Sequence, residues 1–300
     1  QATWLAPGDA RVQAELGATL RRLGRAEKSL APLEEAVRLA PADAPTRVLL
    51  ARTYEDLGRI PDARAEYKRA VADDPTLAEA HHRLGALLER EGDLPGAALS
   101  FRAATGVRPD FAQAYEDAGR AYRLAGELPD ALAALRHAVR LRPDHSATLL
   151  EHGLTLVGLE HWEDAVSSLE RFIALEPGHR EARLALAKAY TALDQDQRAI
   201  GALRTLIDED PRNVEALSAI ATAYERQGNL AEARRALEVV EKVRSDDAAA
   251  LHQLGAIAHR AGDLDRAVSA LSAALRIEPG RHAAARLLGS IHLERGDLSE

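Results

Sequence analysis

Proline returns every 34 residues along this chain, at Pro7, Pro41, Pro75, Pro109, Pro143, Pro177 and Pro211, then at Pro279 after Ser245 takes one turn. A fixed period of this size excludes a fold built around one centre. Each period is a small unit that cannot bury its apolar face alone, so the units must stack, and the stack presents a long continuous surface. The 300 residues therefore count repeats, and the chain reads as one elongated domain from 1 to 300.

Numbering each repeat from the third residue after its punctuation places the starts at Ala10, Ala44, Ala78, Ala112, Ser146, Arg180, Val214 and Ala248, with a partial ninth from His282. Position 8 is then always small: Gly17, Ala51, Gly85, Gly119, Gly153, Ala187, Ala221, Gly255 and Gly289. Such a column lets two helices of one hairpin approach closely. Position 11 is larger, as in Leu20, Tyr54, Leu88, Tyr122, Leu156, Tyr190 and Tyr224, and suits the space between neighbouring hairpins. Ala258 and His292 depart from it. Position 20 is small again, from Ser29 to Ala267, and position 24 is large, from Leu33 through Tyr67 and Phe101 to Leu271.

Local chemistry sets the same limits. Gly24, Gly58, Gly92, Gly126, Gly228, Gly262 and Gly296 stand where first helices must end, a place that favours positive φ. Pro61, Pro95 and Pro129 fall in the first turn of second helices, where a missing amide hydrogen costs nothing. Asp9, Asp43, Asn213 and Asp247 precede first helices as side-chain caps. Pro32 lies inside a second helix, and the expectation there is a kink or a late start.

Taken together, the small, aromatic and proline columns resemble the tetratricopeptide repeat family over the whole chain. The resemblance implies an all-α fold, an α-solenoid of antiparallel helix pairs wound as a right-handed superhelix, whose first helices line a concave groove. It implies binding of another protein or peptide.

Composition excludes other classes. The chain has no cysteine, which removes disulfides, thiolate catalysis and cysteine-based zinc sites. Net charge is −8 with no basic block, a poor footprint for nucleic acid or an anionic membrane. No apolar run reaches the roughly 18 residues of a membrane span. There is no phosphate-binding glycine loop, no G-x-S-x-G, no H-E-x-x-H and no enclosed carboxylate pair, so the reading is noncatalytic, with no cofactor and no metal. His252 and His259 lie seven residues apart, about 10 Å along a helix, too far to share a metal. His152 replaces the leucine of position 7 found at Leu16, Leu50, Leu84, Leu186, Leu254 and Leu288; it is either a hydrogen-bonded neutral histidine or a pH-responsive joint. Methionine is absent even at position 1, residues 4–7 read as the tail of an earlier repeat, and the ninth repeat stops where its second helix should begin, still showing Leu287, Leu288 and Ile291. The expectation is a fragment of a longer, bacterial protein, cytoplasmic with the periplasm left open.

The resemblance places positions 2, 5, 9 and 12 of each first helix on the groove, and helical spacing puts them on one stripe. In the fifth repeat that stripe is Ala147, Leu150, Leu154 and Val157, continued by Leu184 in the sixth. It suits a partner's apolar anchor; equally, Leu150 and Leu154 pack against adjacent first helices. Position 9 carries Arg52, Arg120 and Lys188, with Arg123 a turn beyond Arg120. That row would track an acidic peptide, or consist of solvated arginines balanced by Glu116 and Asp117. Trp162 takes the turn position of Ile60, Leu94, Leu128 and Leu230 and reads as packing.

Two groove signatures known in the family are missing. The lysine and asparagine that grip carboxylate tails are replaced by Ala14, Val48, Ala18 or Arg52, and the asparagine ladder that holds peptide backbones has no counterpart, since Asn213 and Asn229 lie near helix starts. Glu160 and Asp194 replace the helix-ending glycine and Asp196 the apolar turn residue, which predicts a soft joint between repeats six and seven. The sequence thus specifies an interaction scaffold; the alternatives are the docking arm of an enzyme and a module that stacks head to tail through open apolar ends.

Overall fold

The computed structural model describes residues 8–296. The reading of residues 4–7 as the tail of an earlier repeat, and the last residues of the ninth, lie outside them. Among the described residues there are 17 helices and no strand. The first helices of the repeats are α1 (Ala10–Arg22), α3 (Ala44–Asp56), α5 (Ala78–Arg90), α7 (Ala112–Leu124), α9 (Ser146–Gly158), α11 (Arg180–Ala192), α13 (Val214–Arg226), α15 (Ala248–Arg260) and α17 (His282–Arg295). The second helices are α2 (Ala26–Leu39), α4 (Ile60–Asp73), α6 (Leu94–Val107), α8 (Leu128–Leu141), α10 (Trp162–Leu175), α12 (Asp196–Glu209), α14 (Leu230–Val243) and α16 (Leu264–Ile277).

The chain divides into two compact units, Gln1–Thr155 and Leu156–Glu300, with the boundary inside α9. Consecutive helices pack together from α1 to α8 in the first unit and from α10 to α17 in the second. First helices also touch the next first helix: α1 with α3 and α5 with α7 in the first unit, α11 with α13 and α15 with α17 in the second.

The packing of a hairpin follows from its two size columns. A Cβ on Gly17, Gly85, Gly119 or Gly255 would lie 2.4, 2.7, 2.3 or 2.6 Å from the nearest side-chain atom of Leu33, Phe101, Leu135 or Leu271. At these four glycines position 8 has no room because position 24 fills it. The position-24 residues Leu33, Tyr67, Phe101, Leu135, Leu169, Leu203, Leu237 and Leu271 are all fully buried. Position 11 then ties consecutive repeats. Tyr54 donates its hydroxyl to Glu34 of the preceding repeat at 2.9 Å, Tyr190 donates to Glu170, and Tyr224 accepts from Arg204 at 2.9 Å. Burial, with the Glu34 carboxylate alongside, pushes the Tyr54 hydroxyl up to about 12.

Helix ends behave as their residues dictate. The seven turn glycines adopt φ between 70° and 85°. Glu160 and Asp194 take the same left-handed conformation at φ 60° and 59° without glycine's freedom. The closing hydrogen bond survives there, from His161 N to Leu156 O at 2.9 Å and from Gln195 N to Tyr190 O at 2.8 Å. Asp9, Asn213 and Asp247 cap the amides of Arg11, Ala216 and Ala250. Asp43 does not cap; it accepts the Thr46 hydroxyl at 2.6 Å instead. The late start expected at Pro32 does not occur. α2 begins at Ala26, in register with the other second helices, and buried Ser29, Leu33 and Ala36 hold it on both sides of the proline.

Candidate functional site

In the first unit the cations that the sequence assigned to the groove are occupied by the protein's own acids. Arg52 on α3 lies 4.0 Å from Glu79 on α5. Arg120 on α7 donates from Nε and Nη2 to Glu89 on α5 at 2.8 and 3.0 Å, and to Asp117 at 2.8 Å. Arg123 donates to Glu151 on α9 at 2.6 Å. Each bond joins adjacent repeats, apart from the local one to Asp117. The Glu89 hydrogen bonds, with the Asp117 charge, hold the Arg120 guanidinium well above its usual range.

Behind this row lies a buried acidic pair. Asp117 sits 2.8 Å from His82 Nε2 and accepts from Gln113 at 3.1 Å. Burial alone would raise its carboxyl, but the His82 bond and the Arg120 charge prevail and keep it below the usual carboxylate range. Glu116, 3% exposed, faces elsewhere. It takes the Thr148 hydroxyl, Arg142 at 3.1 Å and His145 Nδ1 at 2.8 Å. Asp117 therefore balances a groove arginine as the sequence suggested, whereas Glu116 serves the α8–α9 turn. The arginines themselves are half-buried rather than solvated.

On α9, Ala147 is exposed and Leu150 and Leu154 are half-buried; Val157, across the unit boundary, is half-buried too.

The second unit arranges the same columns differently. Leu184 and Lys188 of α11 face a cavity of about 440 Å³ whose other walls are Trp162 at the start of α10, Ala187, and Ala219 and Thr222 of α13. Leu184 and Trp162 are half-buried, and Lys188 is exposed. The Lys188 ammonium stands 5.9 Å from the centre of the Trp162 ring and has no ion pair among the described residues. Arg226, also at the cavity, is engaged by Asp194 and by Asp196 at 3.1 Å. Of the residues singled out from the sequence, Leu184 and Lys188 are thus brought together, and Arg52, Arg120 and Arg123 are tied into ion pairs. For Trp162 packing was favoured over recognition; its signal was an aromatic ring in a column of aliphatic residues.

This repeat geometry has known relatives. The tetratricopeptide repeat family profile matches residues 96–146, 150–214 and 252–300, and two further profiles of the same repeat match 51–92 and 197–257. The chain belongs to the tetratricopeptide repeat family. A tetratricopeptide repeat protein from Parabacteroides merdae superposes with a TM-score of 0.54 at 20% identity, over 83% of this chain and 98% of that one. PilF of Pseudomonas aeruginosa gives 0.52 at 18%, over 69% and 94%, and a MamA protein 0.51 at 23%, over 56% and 92%. At these identities the likeness shows the fold alone. A search of the curated proteins returns no match.

Three further histidines have separate surroundings in the tetratricopeptide repeats. His259 Nε2 pairs with Glu294 at 3.0 Å. His252 is half-buried, and burial, then the charge of Arg281, pushes its imidazole down. His152 is half-buried on α9. Among the described residues no three histidine or carboxylate side chains converge as metal ligands, and no helix is long and apolar enough to cross a membrane.

Proposed function

We propose that this tetratricopeptide repeat protein is a noncatalytic interaction scaffold that takes a peptide segment of a partner, or a segment of a small folded protein, on its first-helix groove. In the second unit an apolar side chain of that segment enters the cavity walled by Trp162 and Leu184, and a neighbouring aspartate or glutamate pairs with Lys188. The observation that carries this reading is the position of Lys188, a cation without an internal acid, over an aromatic ring at the mouth of an apolar cavity. Such a site gives an anchor and an orientation, the two things a short peptide needs. The half-buried Leu150 and Leu154 of α9 offer a second apolar surface in the first unit.

A displayed random-peptide library selected on the immobilised protein tests this. The expected motif is an apolar residue beside an acid, lost on Leu184→Arg and turned towards basic peptides on Lys188→Glu. Identical selections from the wild type and both variants would overturn the site.

A further inference from the structure

The first unit holds a second cavity, on the side of the second helices, and it traces to one substitution. Position 7 carries a leucine or isoleucine in most repeats, and Leu50, Leu84, Leu186, Ile220 and Leu254 are each at most 7% exposed. The fourth repeat has Ala118 there, 1% exposed. Where the other repeats place a branched side chain, this one leaves a cavity of about 190 Å³ between α6, α7 and α8, lined by Ala118 among others.

The other lining residues define what fits. Thr105 and Tyr122 are buried and carry hydroxyls, while Tyr115 and His137 form a parallel stack at one wall, centroids 4.8 Å apart and planes 8° from each other. The exposed Arg102 and Asp130 stand at the rim with opposite charges, so neither a carboxylate nor an ammonium group is favoured. An apolar cavity of about 150 Å³ is enough to take up benzene. Flat walls and a planar stack prefer a ring to an alkyl chain. We propose that this cavity binds an uncharged aromatic small molecule of one or two rings bearing an N–H or O–H group, with the ring in the space vacated at Ala118 and the polar hydrogen directed to a hydroxyl of Thr105 or Tyr122. The site lies apart from the groove and is independent of the groove reading.

The test is a titration of the protein with 5-fluoroindole, followed by fluorine NMR line width, with unlabelled indole as competitor. Saturable broadening is expected, reversed by indole and abolished by Ala118→Leu, a variant whose thermal midpoint stays at or above that of the wild type because it fills the space. His137→Ala removes half of the stack from an exposed rim position without entering the core, and should weaken binding about threefold to tenfold; it carries the test if Ala118→Leu does not fold. Absence of broadening with the wild type, or unchanged affinity in both variants, overturns the site. Displacement by cyclohexylmethanol as effective as by indole overturns the aromatic class.

Discussion

Position 9 carries a cation in both units, and the two units use it oppositely. Arg120 is locked to Glu89 and Asp117, while Lys188, in the same column two repeats later, faces Trp162 and has no ion pair among the described residues. The difference comes from the preceding first helix. Position 12 there is Glu89 in front of Arg120 and Val157 in front of Lys188. A row of like charges read along a repeat is therefore not a charged surface. In the first unit it is structure, fastening one repeat to the next; in the second the cation is tied to no acid among the described residues.

The largest effect is expected from removing Glu116, the most buried acid of the first unit among the described residues. Glu116→Ala leaves Arg142, His145 and Thr148 around a missing carboxylate and should cost about 2–3 kcal/mol, seen as an early unfolding transition in urea; a loss below about 1 kcal/mol would mean the network is solvated after all. A smaller effect is expected from Arg120→Glu and Lys188→Glu taken together. The first should lower stability by about 1–3 kcal/mol and leave peptide selection by the second unit intact. The second should move stability by less than about 0.5 kcal/mol while lowering affinity for apolar-acidic peptides about tenfold, readable by fluorescence anisotropy. Equal stability losses in the two would erase the distinction.

Acid sharpens the same contrast. The Asp117 carboxyl is held below its unfolded value, so its contribution is fully present above about pH 3.9 and is lost as pH falls through the lower folded-state value. Asp117→Asn should accordingly flatten the acid limb of a stability profile, whereas Lys188→Gln should leave that limb unchanged. The smallest effect belongs to the strained turn of the sixth repeat. Asp194→Gly relieves a left-handed aspartate, worth about 1 kcal/mol, and gives up an exposed pair with Arg226 worth at most about as much. A thermal midpoint within about 2 °C of the wild type is expected.

Much of the fold was legible because packing in a repeat is local. Gly119 and Leu135 lie 16 residues apart in every copy, so the size columns declare the hairpin directly, and the turn glycines declare its limits. At Pro32 the late start is excluded because Ser29, Leu33 and Ala36 bury the helix on both sides of the proline. The site was less legible because it depends on neighbours across repeats. Nothing in Arg52 or Arg120 alone states that Glu79 and Glu89 will meet them. Trp162 was visible as a break in its column, but a break has meaning only once the space around it is known, and Ala118 passed unremarked. Glu160 and Asp194 were recognised as odd; that both reproduce the glycine conformation required coordinates.

The pairing of position 8 with position 24 bears on how such a chain can be inherited. Gly85 tolerates Phe101 and Ala51 stands in the column opposite Tyr67, while leucine is faced by glycine in the first, fourth and eighth copies and by alanine in the sixth and seventh. Recombination that exchanges whole copies keeps every match. A crossover falling between the two positions joins an alanine from one copy to a phenylalanine shaped for glycine in another, so the permitted breakpoints lie in the turns between copies, and the repeat is the smallest unit that duplication can pass on intact.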